Sequence, residues 1–554
     1  MASGDPIYPF TEDDLRGNPP IWLLAVTWSG LVLRWASREI EIADDDGDLV
    51  HHDGGLEVEF EQSLDLFSDL AADPIVSING LIPPGDVNVA LRIAQGHHFE
   101  DARCELAQWI EGRTWNKRVV RMIGNVALGE YDTEGEPLSF DLEPDGLVDT
   151  NLVPGPDQIV NYQSWLQPAD REVGKYYPLI YGQPGLDLTN AEIEGGSPAL
   201  MVDDTGTEIL LLCGERTYLA DGTADVLITN MTSLDSESFN VTTMADQLGR
   251  TVTIADISGA GVLTINSGDE YWARWDTEGD AQAVGGVPNV TNTEAASGAG
   301  DVIMDLLRRS SVVVDTDRFE SLLDKMNRYR LAFYIDDPVS PLEWVRTQIM
   351  PLLPCSLVNG PNGVYPVWWN RSASAETAVA DLVEGENVRR AAGRGVRYTG
   401  NEIRNEIRIG YAPRSDNGQP YYWRTVTGRD VGGDSDEVWP NENCRISRAR
   451  LKTSTNSGER SYEYVTPIVY DAATAAAWLG WQALAYALPW RDIEYDSAGG
   501  VMGFLRVGDD VTITDTAWSL SSRVTLVQSE RWSNSDLTLT LLLIDSPVRD
   551  VIPT

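Results

Sequence analysis

Short runs of alternating apolar and more polar residues, separated by turns, fill the first 150 residues of the chain. Leu31, Leu33 and Trp35 recur at every second position, and Ile40 and Ile42 do the same. Alternation with a period of two is typical of strands that bury one face. Further strands are predicted here at 56–60, 87–93, 118–128 and 138–142. Many short strands at this spacing predict an antiparallel barrel or sandwich.

Residues 145–170 are rich in Pro, Gly, Asp and Asn, which is the composition of a linker and marks a domain boundary. The segment 176–185 then predicts an aromatic strand closed by a Gly-x-Pro-Gly turn. A second β module follows, with strands predicted at 208–212, 225–229, 252–255, 262–265 and 271–275. The stretch 284–300, rich in Gly, Ala, Asn and Thr, leads out of it.

Helical spacing replaces the strand pattern after residue 300. Ile303, Leu306 and Leu307 predict one helix, and a second is predicted from Phe319, Leu322, Leu323, Met326 and Tyr329. Ser340-Pro341-Leu342-Glu343 predicts the start of a third helix, with Ser340 as cap, Pro341 in the first turn and Glu343 closing a capping box. Its apolar stripe comprises Val345, Ile349 and Leu352. An Asn-Gly-Pro-Asn-Gly turn then predicts a hairpin between 355–358 and 364–369.

Strands dominate the last third of the chain. Residues 403–411 and 421–423 predict two strands around an Asp-Asn-Gly turn at 416–418. One helix is predicted at 472–488, with Trp478, Trp481 and Leu484 on one face and Pro489 as its stop. A three-strand meander is predicted from 508–513, 523–528 and 537–544.

These patterns together predict a mainly β, multidomain chain with α+β insertions. Two tube-like β-barrels are expected near the ends, with a β module and a small helix and hairpin unit between them. The predicted domains are 1–150 (barrel-like), 151–190 (linker and aromatic strand), 191–296 (inserted β module), 297–380 (helix and hairpin unit) and 381–554 (barrel-like, with the helix 472–488).

Net charge excludes two classes of function. The 554 residues include 86 acidic and 41 basic ones, for a net charge of −45. Proteins that bind nucleic acid through basic patches do not have such a composition. Only four basic residues are lysine, which also excludes a Lys-rich surface for anionic membranes. Two explanations of the acidity stay open: adaptation to a salty or GC-rich host, and a functional surface that repels another polyanion.

Targeting signals are not predicted at the start of the chain. The first long apolar run, 21–28, follows acidic residues and is far shorter than the ~20 residues that cross a bilayer. We therefore expect synthesis in a host cytoplasm.

Metal and catalytic motifs are weak throughout. Cys104, Cys213, Cys355 and Cys444 are far apart in sequence, which favours buried free thiols. The histidines form two adjacent pairs, His51-His52 and His97-His98. Neighbours on a strand point to opposite faces, so we expect solvent-facing histidines, with a cross-strand metal site as the alternative. Residues 44–48 are interpreted as a solvated turn because position one of a calcium loop aligned on Gly47 is Ile42.

Catalytic alternatives have little support. A Cys104 nucleophile with His97 or His98 as base has no identifiable third group. There is no GxSxG, P-loop or HExxH motif. We therefore predict no enzyme activity, no cofactor and no metal, and assign no catalytic or binding residue. Exposed tryptophans could stack on sugars, but strand and helix-stripe positions favour core packing of Trp368, Trp369, Trp478, Trp481 and Trp490.

Four segments, in their order along the chain, resemble the tail hub (baseplate hub or tail-tip) proteins of long-tailed bacteriophages and related tailed viruses. One is the strand and turn Pro178-Leu179-Ile180-Tyr181-Gly182 after a β domain and a linker. The opening resembles the first hub domain through Gly30-Leu31-Val32-Leu33-Arg34-Trp35, Ile123-Gly124-Asn125-Val126 and Leu138-Ser139-Phe140-Asp141-Leu142. The middle follows the hub pattern of two helices, a capped helix and a hairpin. Val507-Gly508-Asp509-Asp510-Val511 resembles the start of the closing barrel.

The resemblance implies a homotrimer whose two barrels per subunit form a pseudo-six-fold ring, adapting a six-fold tail tube to a three-fold tip. The implied partners are the distal tail or tail tube protein, the tape measure protein and fibre or tip proteins. Genomic DNA would pass through the channel without specific binding. The implied location is the tail tip of a virion. Some related proteins hold an iron–sulfur cluster on four cysteines, but these four lack the clustered spacing.

Three hypotheses follow. The first is a structural hub that closes the tube and opens for genome ejection, with acidic side chains lining the channel so that DNA does not adhere. The second is a receptor- or glycan-binding tail-tip module. The third is a tail-associated cell-wall hydrolase.

Overall fold

The fold is that of a computed structural model of the full chain. It describes residues 15, 18–43, 47–64, 73–82, 87, 89–113, 115–130, 138–145, 151–182, 184–185, 196–203, 208–214, 225–275, 298–368, 378–391, 397–398, 404, 406–414, 418–427, 461–487, 491–497 and 502–543.

Strands account for 49% of the structure and helices for 16%, which confirms the predicted mainly β, multidomain class. In the first half they are β1 (Ile21–Trp28), β2 (Leu31–Ala36), β3 (Ile40–Ala43), β4 (Leu49–His52), β5 (Glu57–Ser63), β6 (Ile75–Leu81), β7 (Arg103–Trp109), β8 (Val119–Glu130), β9 (Leu138–Pro144), β10 (Leu179–Tyr181), β11 (Ser197–Asp203), β12 (Ile209–Cys213), β13 (Asp225–Asn230), β14 (Ser236–Ala245), β15 (Thr251–Asp256) and β16 (Tyr271–Trp275).

The second half continues with β17 (Phe333–Ile335), β18 (Cys355–Gly360), β19 (Gly363–Trp368), β20 (Ala380–Val383), β21 (Val388–Arg390), β22 (Arg397–Tyr398), β23 (Glu406–Pro413), β24 (Pro420–Thr427), β25 (Ser461–Val465), β26 (Arg491–Ser497), β27 (Asp510–Asp515), β28 (Leu520–Ser533) and β29 (Asp536–Leu543). The helices are α1 (Val89–Ala94), α2 (Ala299–Arg309), α3 (Thr316–Met326), α4 (Pro341–Trp344) and α5 (Ala472–Ala487). Among the described residues no helix has the length and apolar character to cross a membrane.

The chain divides into two compact units, each assembled from separate segments. The first unit combines Met1–Val148, Cys355–Glu402 and Pro489–Arg549. The second combines Asp149–Pro354, Ile403–Leu488 and Asp550–Thr554. The five sequence-based domain boundaries stay predictions.

A single 14-stranded sheet dominates the first unit. Its main path runs β2-β1-β7-β8-β9-β6-β5-β28-β29-β26-β21, with β20, β22 and β27 attached to its later strands. The two ends of the chain meet where β5 pairs antiparallel with β28, which places Phe60 opposite Trp532. The sequence patterns predict separate barrel-like domains for these two ends, whereas in the structure they share one sheet.

One hydrophobic core serves both ends of this sheet. It includes Trp22, Trp28 and Trp35 from the first strands and Trp532 and Leu541 from the last. The rings of Trp22 and Trp532 meet edge to face, with centroids 5.7 Å apart. Trp22 Nε1 also donates to the carbonyl oxygen of Asn534 at 2.8 Å. Truncating such buried aromatic rings typically costs about 3–5 kcal/mol, so the terminal strands depend on each other.

The second unit contains a closed six-stranded barrel in the order β11-β12-β15-β14-β13-β16. Because the barrel is closed, each strand is hydrogen-bonded to a neighbour on both sides and none is an edge strand. Met201, Leu210 and Ile228 belong to one apolar cluster of the barrel. Leu211 and Ile254 belong to another, which contains Val160, Trp165 and Tyr177 of the preceding segment. Alternate residues on these strands are therefore buried on both sides of the barrel wall.

The predicted strand at 262–265 is wrong, because this segment is a bend and the barrel uses β14 instead. Glu237 Oε2 accepts backbone N–H groups from Gly261, Val262 and Leu263 at 2.8–2.9 Å. Asp235 Oδ2 accepts the next one, from Thr264, at 2.9 Å. Carboxylates thus take the donors that a strand ladder would need.

The strand predicted at 87–93 is also wrong, because its alternating apolar residues form most of the short helix α1. Gly96 follows with φ +89°, a conformation that ends helices. The N–H of Gln95 donates to the Leu91 carbonyl and that of His97 to the Arg92 carbonyl, both at 3.1 Å. The alternation is equally compatible with one helical turn when a glycine cap follows.

The helices predicted in the second unit are confirmed, and so is the Ser340 cap, while Pro489 lies outside the described residues. Ser340 Oγ accepts the N–H of Glu343 at 3.1 Å at the start of α4. The stripe residues Val345, Ile349 and Leu352 are buried, although α4 continues there as a π turn and a 3₁₀ turn. Helix α5 lies within one residue of its predicted bounds. Trp478 Nε1 and Trp481 Nε1 donate to the carbonyls of Pro351 and Leu352, both at 3.0 Å.

Candidate functional site

The four histidines differ in their exposure to solvent. His51, His97 and His98 are exposed, as predicted, but the solvent-facing prediction is wrong for His52, which is buried against the Trp115 ring at 5.7 Å. Burial lowers the pKa of His52 to about 4. In the part of the chain that the structure describes, no three His, Cys, Asp or Glu side chains come together as a metal site.

The environments of the cysteines bear on the prediction of buried thiols and on the hypothesis of a Cys104 nucleophile. Cys104, Cys213 and Cys355 are buried, as predicted, while Cys444 lies outside the described residues. Burial raises the pKa of Cys104 to about 12, which keeps this thiol protonated and poorly nucleophilic. His97 Nδ1 instead shares a hydrogen bond with Ser29 Oγ at 2.9 Å. The described contacts therefore give His97 a hydrogen-bond partner other than Cys104.

The tryptophans proposed as sugar platforms are core residues where the structure describes them. Trp368, Trp478 and Trp481 are buried, which confirms core packing. Trp369 and Trp490 lie outside the described residues, as do Asp44, Asp45 and Asp46 of the acidic turn.

The feature that distinguishes the first unit is the polar face of its sheet. On β5, Glu57, Glu59 and Glu61 are exposed while Val58 and Phe60 are buried in the core. The alternation of the strand therefore directs one continuous row of carboxylates to solvent. This row continues sideways, because β5 pairs with β28 on one edge and with β6 on the other.

Cross-strand pairing places charged side chains in rows over this face. Glu61 lies opposite Arg531, Arg531 opposite Thr538, and Thr538 opposite Asp496. Thr538 Oγ1 donates to Asp496 Oδ1 at 2.8 Å. On the other side of β5, where β6 pairs with β9, Ser77 Oγ donates to Asp141 Oδ1 at 2.7 Å. Hydroxyl groups thus orient the carboxylates without neutralising them.

A shallow groove of about 590 Å³ follows β5, β28, β29 and β26 on this face. Its lining carries a single guanidinium, that of Arg531, against five carboxylates, those of Glu61, Asp492, Glu494, Asp496 and Asp536. A surface with this excess of carboxylates repels phosphate groups and does not hold them. We name this surface, from Glu57, Glu59 and Glu61 to the groove lining, the acidic face.

Weak overall similarities to solved structures accompany this fold. The tail protein from Neisseria meningitidis MC58 has a TM-score of 0.40 at 9% identity, over 95% of this chain and 99% of that chain. The 43 kDa tail protein of prophage MuSo2 from Shewanella oneidensis has a TM-score of 0.34 at 12% identity, over 96% and 99%. A chain of a native gene transfer agent virion has a TM-score of 0.39 at 10% identity, over 71% and 90%. No family model and no curated protein matches the sequence.

The composition of the chain indicates an acidic surface but does not locate it. The signal is the run Glu57-Val58-Glu59-Phe60-Glu61, in which every second residue is an acid. It becomes a continuous face only because β5 joins strands from the opposite end of the chain.

Proposed function

We propose that this chain is a structural protein of a virion tail, a trimeric hub at the tail tip. In this role it closes the tail tube, adapts the six-fold tube to three-fold tip structures and opens for genome ejection. The observation that carries the proposal is the single sheet built from both ends of the chain with its acidic face. Such a sheet gives a channel-forming ring a continuous wall that does not bind DNA.

The residues behind the hub resemblance support the proposal by their structural roles. Gly182 ends the aromatic strand with φ +62°, and an added Cβ would overlap the carbonyl oxygen of Leu331. Tyr181 Oη donates to Asp305 Oδ2 of α2 at 2.7 Å. The segment Pro178-Leu179-Ile180-Tyr181-Gly182 thus joins the strand to the helical part of the second unit, in a geometry that requires glycine.

The acidic face suits a conduit for DNA. A row of lysines or arginines would bind phosphates and release counterions, which retards sliding. Carboxylates reverse the sign of this interaction. In a trimer the net charge of −45 is multiplied by three. The salt-adaptation explanation predicts acids spread over all surfaces, whereas the hub explanation gives the acidic face its own function.

The partners that this role requires are further copies of the chain, the distal tail or tail tube protein, the tape measure protein and fibre or tip proteins. The role is mechanical, and we propose no catalytic activity. A zymogram against host envelope tests the hydrolase alternative, and we expect no clearing.

Two measurements test the hub. Light scattering on the purified chain should give the mass of a trimer, and gold-labelled antibody should mark the tail tip in electron micrographs of virions. A monomer that labels no tail would contradict the proposal.

Ejection kinetics test the role of the acidic face. Virions with Glu57→Lys and Glu59→Lys should assemble but eject DNA more slowly in vitro. The matched control is Glu320→Lys with Asp324→Lys, two exposed acids on α3. Equal ejection rates for the two double variants would contradict the proposal that the acidic face lines the DNA channel.

A further inference from the structure

The three-stranded sheet β24-β23-β25 of the second unit presents two different faces. One face packs inward, where Ile407, Ile409 and Tyr411 are buried. On the same side, the rings of Tyr464 and Trp478 of α5 stack with centroids 5.1 Å apart and an interplanar angle of 18°. Strand alternation sends Arg408, Trp423 and Glu463 to the opposite face.

Trp423 is the principal apolar group on this opposite face, and 42% of its surface is exposed. Its position depends on Gly410, which lies directly across the strand pair. A Cβ added at Gly410 would come within 3.1 Å of Trp423 Cη2 and 2.7 Å of Pro420 Cγ. The missing side chain therefore lets the indole lie close against the strand as a fixed, half-exposed platform.

A charged pair adjoins this platform. The guanidinium carbon of Arg408 lies 4.8 Å from the Trp423 ring centroid, within range of a cation–π contact. Arg408 Nε also donates to Glu463 Oε2 at 2.7 Å across the next strand pair. The side chains of Arg408 and Glu463 are 46% and 43% exposed. An indole, a fork of donors and a carboxylate acceptor thus form one row across β24, β23 and β25.

We propose that this row is a binding site for a neutral glycan. The C–H face of a sugar ring stacks on an exposed indole, while neighbouring hydroxyl groups pair with donors and acceptors held beside it. Arg408 supplies the donors and Glu463 the acceptor, and their mutual ion pair holds both in place. The site goes beyond the proposed hub function and does not depend on it.

The charges of the row favour a neutral ligand over an anionic one. Glu463 already neutralises Arg408, so that a phosphate would meet a carboxylate beside the ring. The chain as a whole carries −45, which adds a repulsive field for any polyanion. An uncharged sugar chain experiences neither of these repulsions.

The test uses the full-length chain on an array of neutral oligosaccharides, including β-glucan, chitin, mannan and galactan fragments. The strongest ligand is then titrated by calorimetry. Trp423→Ala should weaken its binding about tenfold or more, because it removes the aromatic surface on which the sugar ring stacks. Trp518→Ala is the matched control, because Trp518 is 38% exposed but lies in the first unit; it should leave binding unchanged.

Glu463→Gln separates a glycan site from a nucleic-acid site. The amide oxygen that replaces the carboxylate is a weaker, uncharged acceptor and no longer forms an ion pair with Arg408, so glycan binding should weaken, while binding of a single-stranded oligonucleotide would strengthen. No neutral oligosaccharide binding, equal losses for Trp423→Ala and Trp518→Ala, or oligonucleotide binding that falls steeply with salt would overturn the proposal. None of these results bears on trimer formation or tail labelling, so the hub proposal is tested independently of the glycan site.

Discussion

Arg121 and Glu530 form a buried ion pair that joins the two ends of the chain. Arg121 Nη1 lies 2.9 Å from Glu530 Oε2, and each side chain is only 1% exposed. Arg121 Nε donates to Gln108 Oε1 at 2.7 Å, and its guanidinium carbon lies 5.6 Å from the Trp532 ring centroid. The pair therefore connects β8 with β28 inside the core, 409 residues apart in sequence.

Removing one partner of this pair should be costly. Glu530→Gln leaves the Arg121 charge buried without its counterion, and such losses typically cost about 3–5 kcal/mol of unfolding free energy. Urea denaturation of the purified chain measures the change. The double variant Arg121→Met with Glu530→Gln should recover much of the loss, because the Arg121 charge is removed together with its counterion. A single variant as stable as wild type would contradict the connecting role of the pair.

The sequence predicted elements that local rules determine. The alternation of Leu31, Leu33 and Trp35 corresponds to β2, and the Ser340 cap marks the start of α4. Local rules failed where a neighbour competes for the backbone. Gly96 turns an alternating run into α1, and Glu237 takes the N–H groups of the segment predicted as a strand.

Long-range pairing is outside the reach of such rules. Nothing in the pattern of residues 57–63 indicates that their partner is β28, since any strand with one apolar face would serve. The acidic face follows from that pairing, so sequence reasoning predicted its charge but not its place. Trp423 was predicted as part of a strand, yet its exposure depends on the absence of a side chain at Gly410.

Gly182 should be intolerant of a side chain. Alanine there would need both a left-handed backbone and displacement of the Leu331 carbonyl, and the backbone cost alone is about 1–2 kcal/mol. Gly418→Ala is the matched control, because Gly418 has φ +67° with nothing within 4 Å of the added Cβ. Calorimetric melting should show a larger fall in Tm for Gly182→Ala than for Gly418→Ala. Equal falls would mean that close packing at Gly182 contributes nothing.

Glu237 should hold the bend at 261–264 in place. The N–H groups of Leu263, Val262 and Gly261 keep the pKa of Glu237 below its usual range. A depressed acid pKa stabilises the fold above the unfolded pKa and loses this effect as the pH falls through the folded one. Glu237→Gln should therefore speed hydrogen exchange of residues 261–263 at neutral pH. Glu208→Gln, at another barrel carboxylate, is the control and should leave these rates unchanged; equal rates in both variants would refute the role of Glu237.

His52 should make stability fall in mild acid. Its two ring nitrogens have no hydrogen-bond partner among the described residues, and burial lowers its pKa to about 4. The unfolded chain, with a His pKa of about 6.5, binds the proton more readily, so protonation favours unfolding as the pH drops from about 6.5 to about 4. His52→Phe should remove this part of the pH dependence, and His51→Phe, at an exposed neighbour, should retain it. Comparing the unfolding free energies of the two variants across this range isolates the effect of burial, because both replace an imidazole on β4 by a phenyl ring. Parallel pH profiles for wild type and His52→Phe would show that His52 does not titrate with folding.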